Sequence, residues 1–182
     1  KVIIKQINQI ENLVNEFSDF ARMPKPILKN NNLNLLIKDN IKLLQELDKN
    51  IKIDFIENND KVLLNCDYEQ INRVFFNLIK NSIESIHQKA EKNANFQKKV
   101  TIEMYDDNEH IKINIIDNGV GFKSFSNNIK DILNPYFTTK KNGTGLGLSI
   151  VNKIVNDHNG SLQFIPISDG AKIIINFQRY GN

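Results

Sequence analysis

A glycine-rich segment in the last quarter of the chain runs directly into a helical pattern of apolar residues from about 146 to 159. Glycines let a backbone approach phosphate closely, and the first N–H groups of a helix donate to anions. The GxGxG spacing follows polar residues and differs from a dinucleotide-binding fingerprint, and the sequence contains no P-loop motif. We therefore predict an anion site at a helix N-terminus, with a flexible linker as the alternative. The segment comprises Gly143, Thr144, Gly145, Leu146, Gly147, Leu148 and Ser149.

The remaining pattern predicts helices and strands in an irregular order. Apolar residues recur at helical spacing over 33–47 and 68–90, and Asp67 with Gln70 three residues later indicates a capping box for the second helix. The alternation of single helices with groups of strands favours an α+β two-layer sandwich, with a mixed, mostly antiparallel sheet and the helices on one face. The predicted strands cover 51–56, 62–64, 100–105, 110–116, 161–167 and 171–178, and an Asp169-Gly170 turn joins the last two.

The first residues carry the spacing of a helix that packs against another helix. Apolar residues recur at intervals of four and three from Ile3 to Ala21, and Pro24 and Pro26 end the pattern. A helix packed on its own domain is the alternative. Because the chain begins within this pattern and without methionine, we expect it to be a segment of a longer protein. An unpaired apolar seam also predicts concentration-dependent self-association.

The composition excludes several classes of protein. The net charge of +3 is small and scattered, which argues against a nucleic-acid partner. No apolar run approaches the roughly 18 residues that a membrane helix needs, so we expect a soluble chain. One cysteine and three separated histidines cannot build a disulfide framework or a zinc cluster. This composition is typical of a reducing cytoplasm.

The predicted 68–90 helix has a polar stripe opposite its apolar face. Asn77, Asn81 and Glu84 fall together at spacings i, i+4 and i+7. An asparagine oxygen is a hard ligand suited to Mg²⁺, which binds through a few protein oxygens, waters and substrate phosphates. The alternative is an ordinary solvated helix face.

A second polar signal ends the predicted strand 110–116. Asp117 is followed by Asn118, Gly119, Val120 and Gly121, which places a carboxylate at a sheet edge where glycines let the backbone bend around a flat ligand. A buried carboxylate can accept a hydrogen bond from an exocyclic amine such as that of adenine. A β-hairpin turn is the alternative.

Between the two glycine elements lies a long polar stretch, 122–142, that contains Asn134-Pro-Tyr-Phe-Thr-Thr-Lys140. An aromatic pair and lysines beside an anion site predict a lid, in which the aromatic rings hold the loop to the domain and a lysine neutralises phosphate. A plain surface loop is the alternative.

Four elements in this order resemble the N, G1, F and G2 boxes of sensor histidine kinases of the GHKL ATPase superfamily. They are Asn77-Leu-Ile-Lys-Asn81-Ser, Asp117-Asn-Gly-Val-Gly121, Pro135-Tyr-Phe-Thr-Thr-Lys140 and Gly143-Thr-Gly-Leu-Gly147-Leu. The segment 15–26 is similar to the end of the second dimerisation helix of NtrY-type nitrogen-regulation kinases. The resemblance implies the Bergerat (GHKL) fold. It also implies that 1–23 is the C-terminal part of a dimerisation helix, 24–32 a linker and 33–182 the catalytic ATP-binding domain.

The resemblance implies a site for ATP and Mg²⁺. Asn81 would ligate the metal, Asn77 would lie beside the phosphates, and Asp117 would bind the adenine amine in a pocket shaped by Gly119 and Gly121. The phosphate cradle would comprise Gly143, Thr144, Gly145, Leu146 and Gly147. Lys140 would be the lid cation and, with Asn77, a catalytic residue.

Glu84 departs from the lysine that many histidine kinases place at this position to face the phosphates. NtrB- and NtrY-type sequences resemble this chain in having glutamate there. The residue that supplies the phosphate-facing charge is therefore open among Lys80, Lys140 and Lys141.

The implied activity is that of a protein histidine kinase, in which the γ-phosphoryl group passes from Mg²⁺-ATP to a histidine on a dimerisation helix absent from this chain. None of His87, His110 and His158 lies in a motif like the family's phosphoacceptor box, so we expect ATP binding without self-phosphorylation. The implied partners are a response regulator receiver domain and, in the full-length protein, a second copy. The implied location is the cytoplasmic side of a membrane-anchored sensor.

Three alternatives have distinguishing features. ATPases of the Hsp90, gyrase or MutL kind place a general-base glutamate where Asn77 stands. Anti-sigma-type serine kinases lack the helical segment 1–22. A pseudokinase, whose ATP site serves only as a conformational switch, is compatible with Glu84.

Overall fold

The computed structural model describes residues 4, 7, 10, 11, 14, 15, 17, 18, 21–91, 96–107, 109–122, 129–140 and 143–179. The described residues between 4 and 21 have helical backbone conformation, but most of the predicted dimerisation helix lies outside the described residues. Ile7, Ile10 and Val14 are each more than half exposed, so this part of the seam is not packed on the domain. Phe17, later in the same seam, does contact the domain, because its ring stacks on that of Tyr136 with centroids 6.5 Å apart.

The strands form a five-stranded and a two-stranded sheet. The larger has the order β2-β4-β5-β7-β6, in which only the β2–β4 pair is parallel. The smaller pairs β1 with β3 antiparallel. The strands are β1 (Lys29–Asn32), β2 (Lys52–Glu57), β3 (Leu63–Cys66), β4 (Lys99–Asp106), β5 (His110–Asp117), β6 (Gly160–Ile167) and β7 (Gly170–Gln178). The predicted mixed, mostly antiparallel sheet is confirmed.

Among the described residues, three α-helices cover one face of the larger sheet, as the two-layer sandwich requires. They are α1 (Leu33–Leu47), α2 (Tyr68–Ala90) and α3 (Gly147–Asp157), and a short 3₁₀ helix spans Ile129–Leu133. Phe75 on α2 and Phe177 on β7 are fully buried at the centre of the shared core. Burying a side chain of this size stabilises the fold by about 1.5–3 kcal/mol. None of the described helices is long and apolar enough to cross a membrane.

Strand β1 was not predicted, because Lys29–Asn32 is entirely polar and lies within the predicted linker. Its pairing with β3 supplies the backbone hydrogen bonds that its composition does not suggest. Asn31 also donates to the Cys66 carbonyl over 2.8 Å. The chain is therefore tied to the domain from residue 29 onward.

Only one of the two hydrogen bonds of the predicted capping box forms at the start of α2. Asp67 Oδ1 accepts from the Gln70 amide over 3.1 Å, which is the expected cap. The reciprocal contact is replaced, because the Asp67 amide donates to Nε2 of His158 over 3.0 Å. Asp67 Oδ2 accepts from the Ile27 amide, and the Gln70 side chain donates to the Pro24 carbonyl. The segment before β1 is therefore held at the N-terminus of α2.

Candidate functional site

Three segments meet along the polar stripe of α2. They are the loop after β5, the segment 134–140 and the glycine segment 143–147, which runs into the N-terminus of α3. Asn77, Asn81 and Glu84 are half-buried on this stripe, whereas Ile71, Phe75 and Leu78 face the core. The helical spacing in the sequence correctly predicted both faces of α2.

Asp117 ends β5 and is 4% exposed. Its Oδ1 accepts from the Gly119 amide over 2.9 Å. Burial raises the pKa of the Asp117 carboxyl, and the hydrogen bond from Gly119 offsets only part of that effect. Among the described residues, β5 pairs only with β4 and β7, and no strand lies between β5 and β6 in the sequence, so the hairpin alternative is wrong.

The two glycines after Asp117 are required by contacts within the protein. A Cβ on Gly119 would lie 2.2 Å from Oγ of Ser85 on α2. Gly121 has φ +69°, and a Cβ there would lie 2.2 Å from the Gly170 carbonyl oxygen. The loop is thus pressed between α2 and the β6–β7 turn, which fixes the position of Asp117.

Two residues that sequence reasoning missed hold this loop. Ser85 accepts from the Val120 amide over 3.1 Å, and Lys89 donates to the Asn118 carbonyl over 2.8 Å. Both lie on α2 beyond the predicted polar stripe. Their spacing from Asn81, at i+4 and i+8, continues that stripe and was the available signal.

The glycine segment presents the N-terminus of α3 to the same face. Leu146 precedes the helix and makes no side-chain capping hydrogen bond. The Leu146 amide itself is held by Oγ1 of Thr144 over 3.3 Å. A Cβ on Gly147 would lie 4.0 Å from Oδ1 of Asn77, so the first turn of α3 stands beside α2. These N–H groups carry the partial positive charge that favours an anion.

The segment 134–140 packs directly on the glycine segment. Gly145 has φ +72°, and a Cβ there would lie 2.4 Å from the Tyr136 carbonyl carbon. Tyr136 itself has φ 68°, which is unusual for a residue with a side chain. The segment 134–140 of the predicted lid and the glycine segment are therefore in contact, which a flexible linker would not require.

Lys140 crosses from this segment to α2. Its Nζ donates to Oδ1 of Asn81 over 2.9 Å and also to Oε2 of Glu84, with which it forms an ion pair. Lys80 points elsewhere, with its Nζ 5.9 Å from the centroid of the Phe76 ring. Lys141 lies outside the described residues. Of the three candidate lysines, Lys140 is therefore the one that the structure places on the polar stripe.

Comparison with known proteins identifies the family. The family model for histidine kinase-, DNA gyrase B- and HSP90-like ATPases matches residues 66–180. The chain belongs to this ATPase family.

The relatives of this ATPase domain include nitrogen-regulation proteins. It is 34% identical over 174 residues to an NtrY-like protein of Rickettsia bellii, covering 96% of this chain and 27% of that protein. It is 32% identical over 168 residues to the nitrogen regulation protein NtrY of Azorhizobium caulinodans, covering 92% of this chain and 21% of that one. The chain thus spans about a quarter of the length of these curated relatives.

Among solved structures, the nucleotide-free catalytic domain of histidine kinase ThkA superposes with a TM-score of 0.71 at 28% identity. The match covers 83% of this chain and 95% of that domain. The resemblance found from the four boxes is therefore confirmed at the level of the family and its histidine kinase relatives.

The residues of this ATPase domain suit ATP. The buried Asp117 carboxylate offers an acceptor for a base amine, and the N-terminus of α3 offers donors for phosphate. The oxygens of Asn81 and Glu84 also suit a cation, because both already bind the ammonium group of Lys140. Among the described residues no group of three or more His, Cys, Asp or Glu side chains could hold a metal ion. Mg²⁺ at these oxygens would complete its coordination with water or with phosphate oxygens.

Proposed function

We propose that this chain is the catalytic ATP-binding domain of a sensor histidine kinase, which binds Mg²⁺-ATP and passes the γ-phosphoryl group to a histidine on a dimerisation helix outside the chain. The observation that carries the proposal is the meeting of Asp117, Asn81 and the N-terminus of α3 along one face of α2. A base-binding carboxylate, a hard oxygen ligand and an anion site are the three parts that a metal–nucleotide complex needs.

In the proposed complex, Asp117 accepts from the exocyclic amine of adenine, and the rigid loop of Gly119 and Gly121 holds that carboxylate in place. Asn81 would hold Mg²⁺ through its amide oxygen, and Asn77 would lie beside the phosphates. The metal supplies charge neutralisation for phosphoryl transfer. The amides that follow Leu146 bind phosphate oxygens, because the side chain of Leu146, the N-cap residue, makes no hydrogen bond to them.

The histidines of this chain support an acceptor located elsewhere. His158 uses both ring nitrogens, since Nδ1 bonds the Ile154 carbonyl over 2.7 Å and Nε2 accepts from the Asp67 amide. His87 is paired with Asp48 through Nε2 over 2.7 Å. His110 lies at the exposed start of β5. We therefore expect no phosphohistidine on the isolated chain.

The partners follow from the proposed reaction. A second copy in the full-length protein supplies the dimerisation helices, and a response regulator receiver domain takes the phosphoryl group. ThkA has been crystallised in complex with the response regulator protein TrrA. The proposed location is the cytoplasmic side of a membrane-anchored sensor, where ATP is available.

Calorimetry with a non-hydrolysable ATP analogue, with and without Mg²⁺, tests the binding half of the proposal. We expect Mg²⁺ to strengthen binding to the wild-type chain and Asn81→Ala to remove most of that effect. Asn65→Ala is the matched control, because Asn65 is exposed on β3. Absence of nucleotide binding by a folded wild-type chain would refute the proposal.

The alternative function is a pseudokinase or nucleotide-dependent regulatory module. It is favoured by the engagement of Lys140 with Glu84, which neutralises the lid cation. A dimerisation domain with its histidine, supplied in trans with Mg²⁺-ATP, separates the two. Acid-labile phosphate on that domain supports the kinase, and tight nucleotide binding without transfer supports the regulatory module.

A further inference from the structure

We propose that Asn81 and Glu84 form a two-oxygen cation site for which Lys140 and Mg²⁺ compete, so that Glu84 sets the position of the lid segment 134–140. The inference rests on the proposed function only for the identity of the metal. It assigns a positioning role to Glu84, the residue at which this chain differs from the many histidine kinases that have lysine.

The geometry of α2 creates the pair of oxygens. Glu84 follows Asn81 by three residues, so the two side chains lie one turn apart on the same face of the helix. Both bind the same nitrogen, because Lys140 Nζ lies 2.9 Å from Asn81 Oδ1 and pairs with Glu84 Oε2. The Glu84 and Lys140 side chains are 40% and 44% exposed, so a dissolved cation can reach them.

Lys140 and a metal cannot share these oxygens. A divalent cation on Asn81 Oδ1 would lie within a few ångströms of the ammonium group, and two positive charges at that distance repel strongly. Binding of the metal therefore requires Lys140 to leave. When a nucleotide is also bound, the charge of the released ammonium group would be favourable beside its phosphates.

The exchange would also reposition the lid. Lys140 belongs to the segment that contains Tyr136, and the Tyr136 backbone packs against Gly145 in the glycine segment. Two hydrogen bonds extend this contact. The Lys140 amide donates to Oγ1 of Thr138 over 3.1 Å, and the Gly143 amide donates to the Lys140 carbonyl over 3.2 Å. Release of Lys140 from α2 therefore frees the end of a segment that adjoins the phosphate cradle.

Glu84 is the charged partner that holds Lys140 on α2. Asn81 contributes a neutral oxygen, whereas Glu84 contributes the charge that makes the bond an ion pair. A pair of half-exposed charges is worth little energy, so the lid is held weakly and a metal can displace it. A lysine at position 84 would instead repel Lys140 and leave the lid free.

Trypsin reports the state of Lys140 directly, because cleavage after a lysine requires its side chain to enter the protease pocket. The initial rate of cleavage of the 140–141 bond is measured by mass spectrometry, without nucleotide, in NaCl and in MgCl₂ of equal ionic strength. We expect Mg²⁺ to accelerate cleavage of the wild-type chain. We expect Glu84→Gln to accelerate it about 2- to 5-fold in NaCl, as the loss of an exposed ion pair predicts, and to weaken the response to Mg²⁺.

Glu69→Gln is the matched control, because Glu69 is exposed on the first turn of the same helix and its replacement changes the net charge equally. It should cleave at the wild-type rate, and circular dichroism shows whether each variant is folded. Equal cleavage of folded Glu84→Gln and wild-type chains in NaCl would overturn the inference, as would a wild-type rate that Mg²⁺ does not change. Failure of the proposed function appears separately, as absence of nucleotide binding in calorimetry.

Discussion

Replacing Asp117 by asparagine should abolish most adenine-nucleotide binding without destabilising the domain. The asparagine Oδ1 can keep the hydrogen bond from the Gly119 amide, which lies 2.9 Å from the present Oδ1. Its NH₂ group then occupies the place of the second carboxylate oxygen. A donor there faces the exocyclic amine of adenine, which is also a donor.

The magnitude follows from the loss of one charge-assisted hydrogen bond, about 1.5–3 kcal/mol, and the facing donors add to it. A total of roughly 2–4 kcal/mol corresponds to about 30- to 1,000-fold weaker binding. An inosine nucleotide, which carries a carbonyl in place of the amine, should lose much less affinity or gain some.

Asp117→Asn should weaken nucleotide binding but should not lower the stability of the folded domain. Burial raises the pKa of Asp117, so the folded state favours the protonated carboxyl. The stability that the protonated carboxyl contributes is lost as the pH rises through the pKa of Asp117 in the folded state. Neutral asparagine removes that loss at pH 7. We expect Asp117→Asn to melt at or above the wild-type temperature at pH 7, with the difference shrinking as the pH falls.

Calorimetry with ATP and inosine analogues, together with thermal melts, measures both effects. Asp60→Asn is the control, because Asp60 is exposed and its replacement changes the charge equally. ATP-analogue binding within about 3-fold of wild type by a folded Asp117→Asn chain would refute the role of this carboxylate. A lower melting temperature at pH 7 would refute the argument from burial.

Three further predictions concern other parts of the domain. Burial raises the pKa of the Cys66 thiol to about 11, so iodoacetamide should label it slowly in the native chain and rapidly in urea; fast native labelling would contradict this. Burial alone would raise the pKa of Asp67, but the amides of Ile27 and Gln70 that donate to its carboxylate hold the pKa below its ordinary value, so Asp67→Ala should cost about 0.5–2 kcal/mol of unfolding free energy near pH 7. That difference should shrink as the pH falls below 3.8 through the folded-state pKa, and a pH-independent difference in urea melts would show that the carboxylate is not the cause. Gly145→Ala should weaken nucleotide binding at least about 10-fold, because a Cβ at φ +72° would lie 2.4 Å from the Tyr136 backbone; unchanged affinity in calorimetry would show that the glycine segment can shift without loss.

The sequence predicted what depends on local spacing. The apolar face of α2 follows from a helical period that needs only residues a few positions apart, so Phe75 and Leu78 could be assigned to the core and Asn77 and Asn81 to the opposite face. The strands that alternate apolar and polar residues were predicted to within one or two residues, with β4 as an example. The start of α3 directly after the glycine segment was also predicted, because the helical spacing of apolar residues begins there.

Only the tertiary structure decided which distant residues meet. The polar strand β1 exists because β3 offers it partners, and composition alone gives no sign of that pairing. His158 replaces the Gln70 side chain in the expected capping box, across a separation of 91 residues.

Lys140 was one of three candidate lysines until the fold placed its ammonium group on Asn81 and Glu84. Gly119 and Gly121 were assigned to a ligand pocket by sequence, whereas the structure shows that neighbouring protein atoms require them. A helical face is set by the geometry of consecutive residues, but sheet pairing, buried polar contacts and ion pairs depend on chain segments far apart in sequence. The sequence therefore determined the elements and the polar stripe of α2, and the packing of the elements decided how the site is assembled.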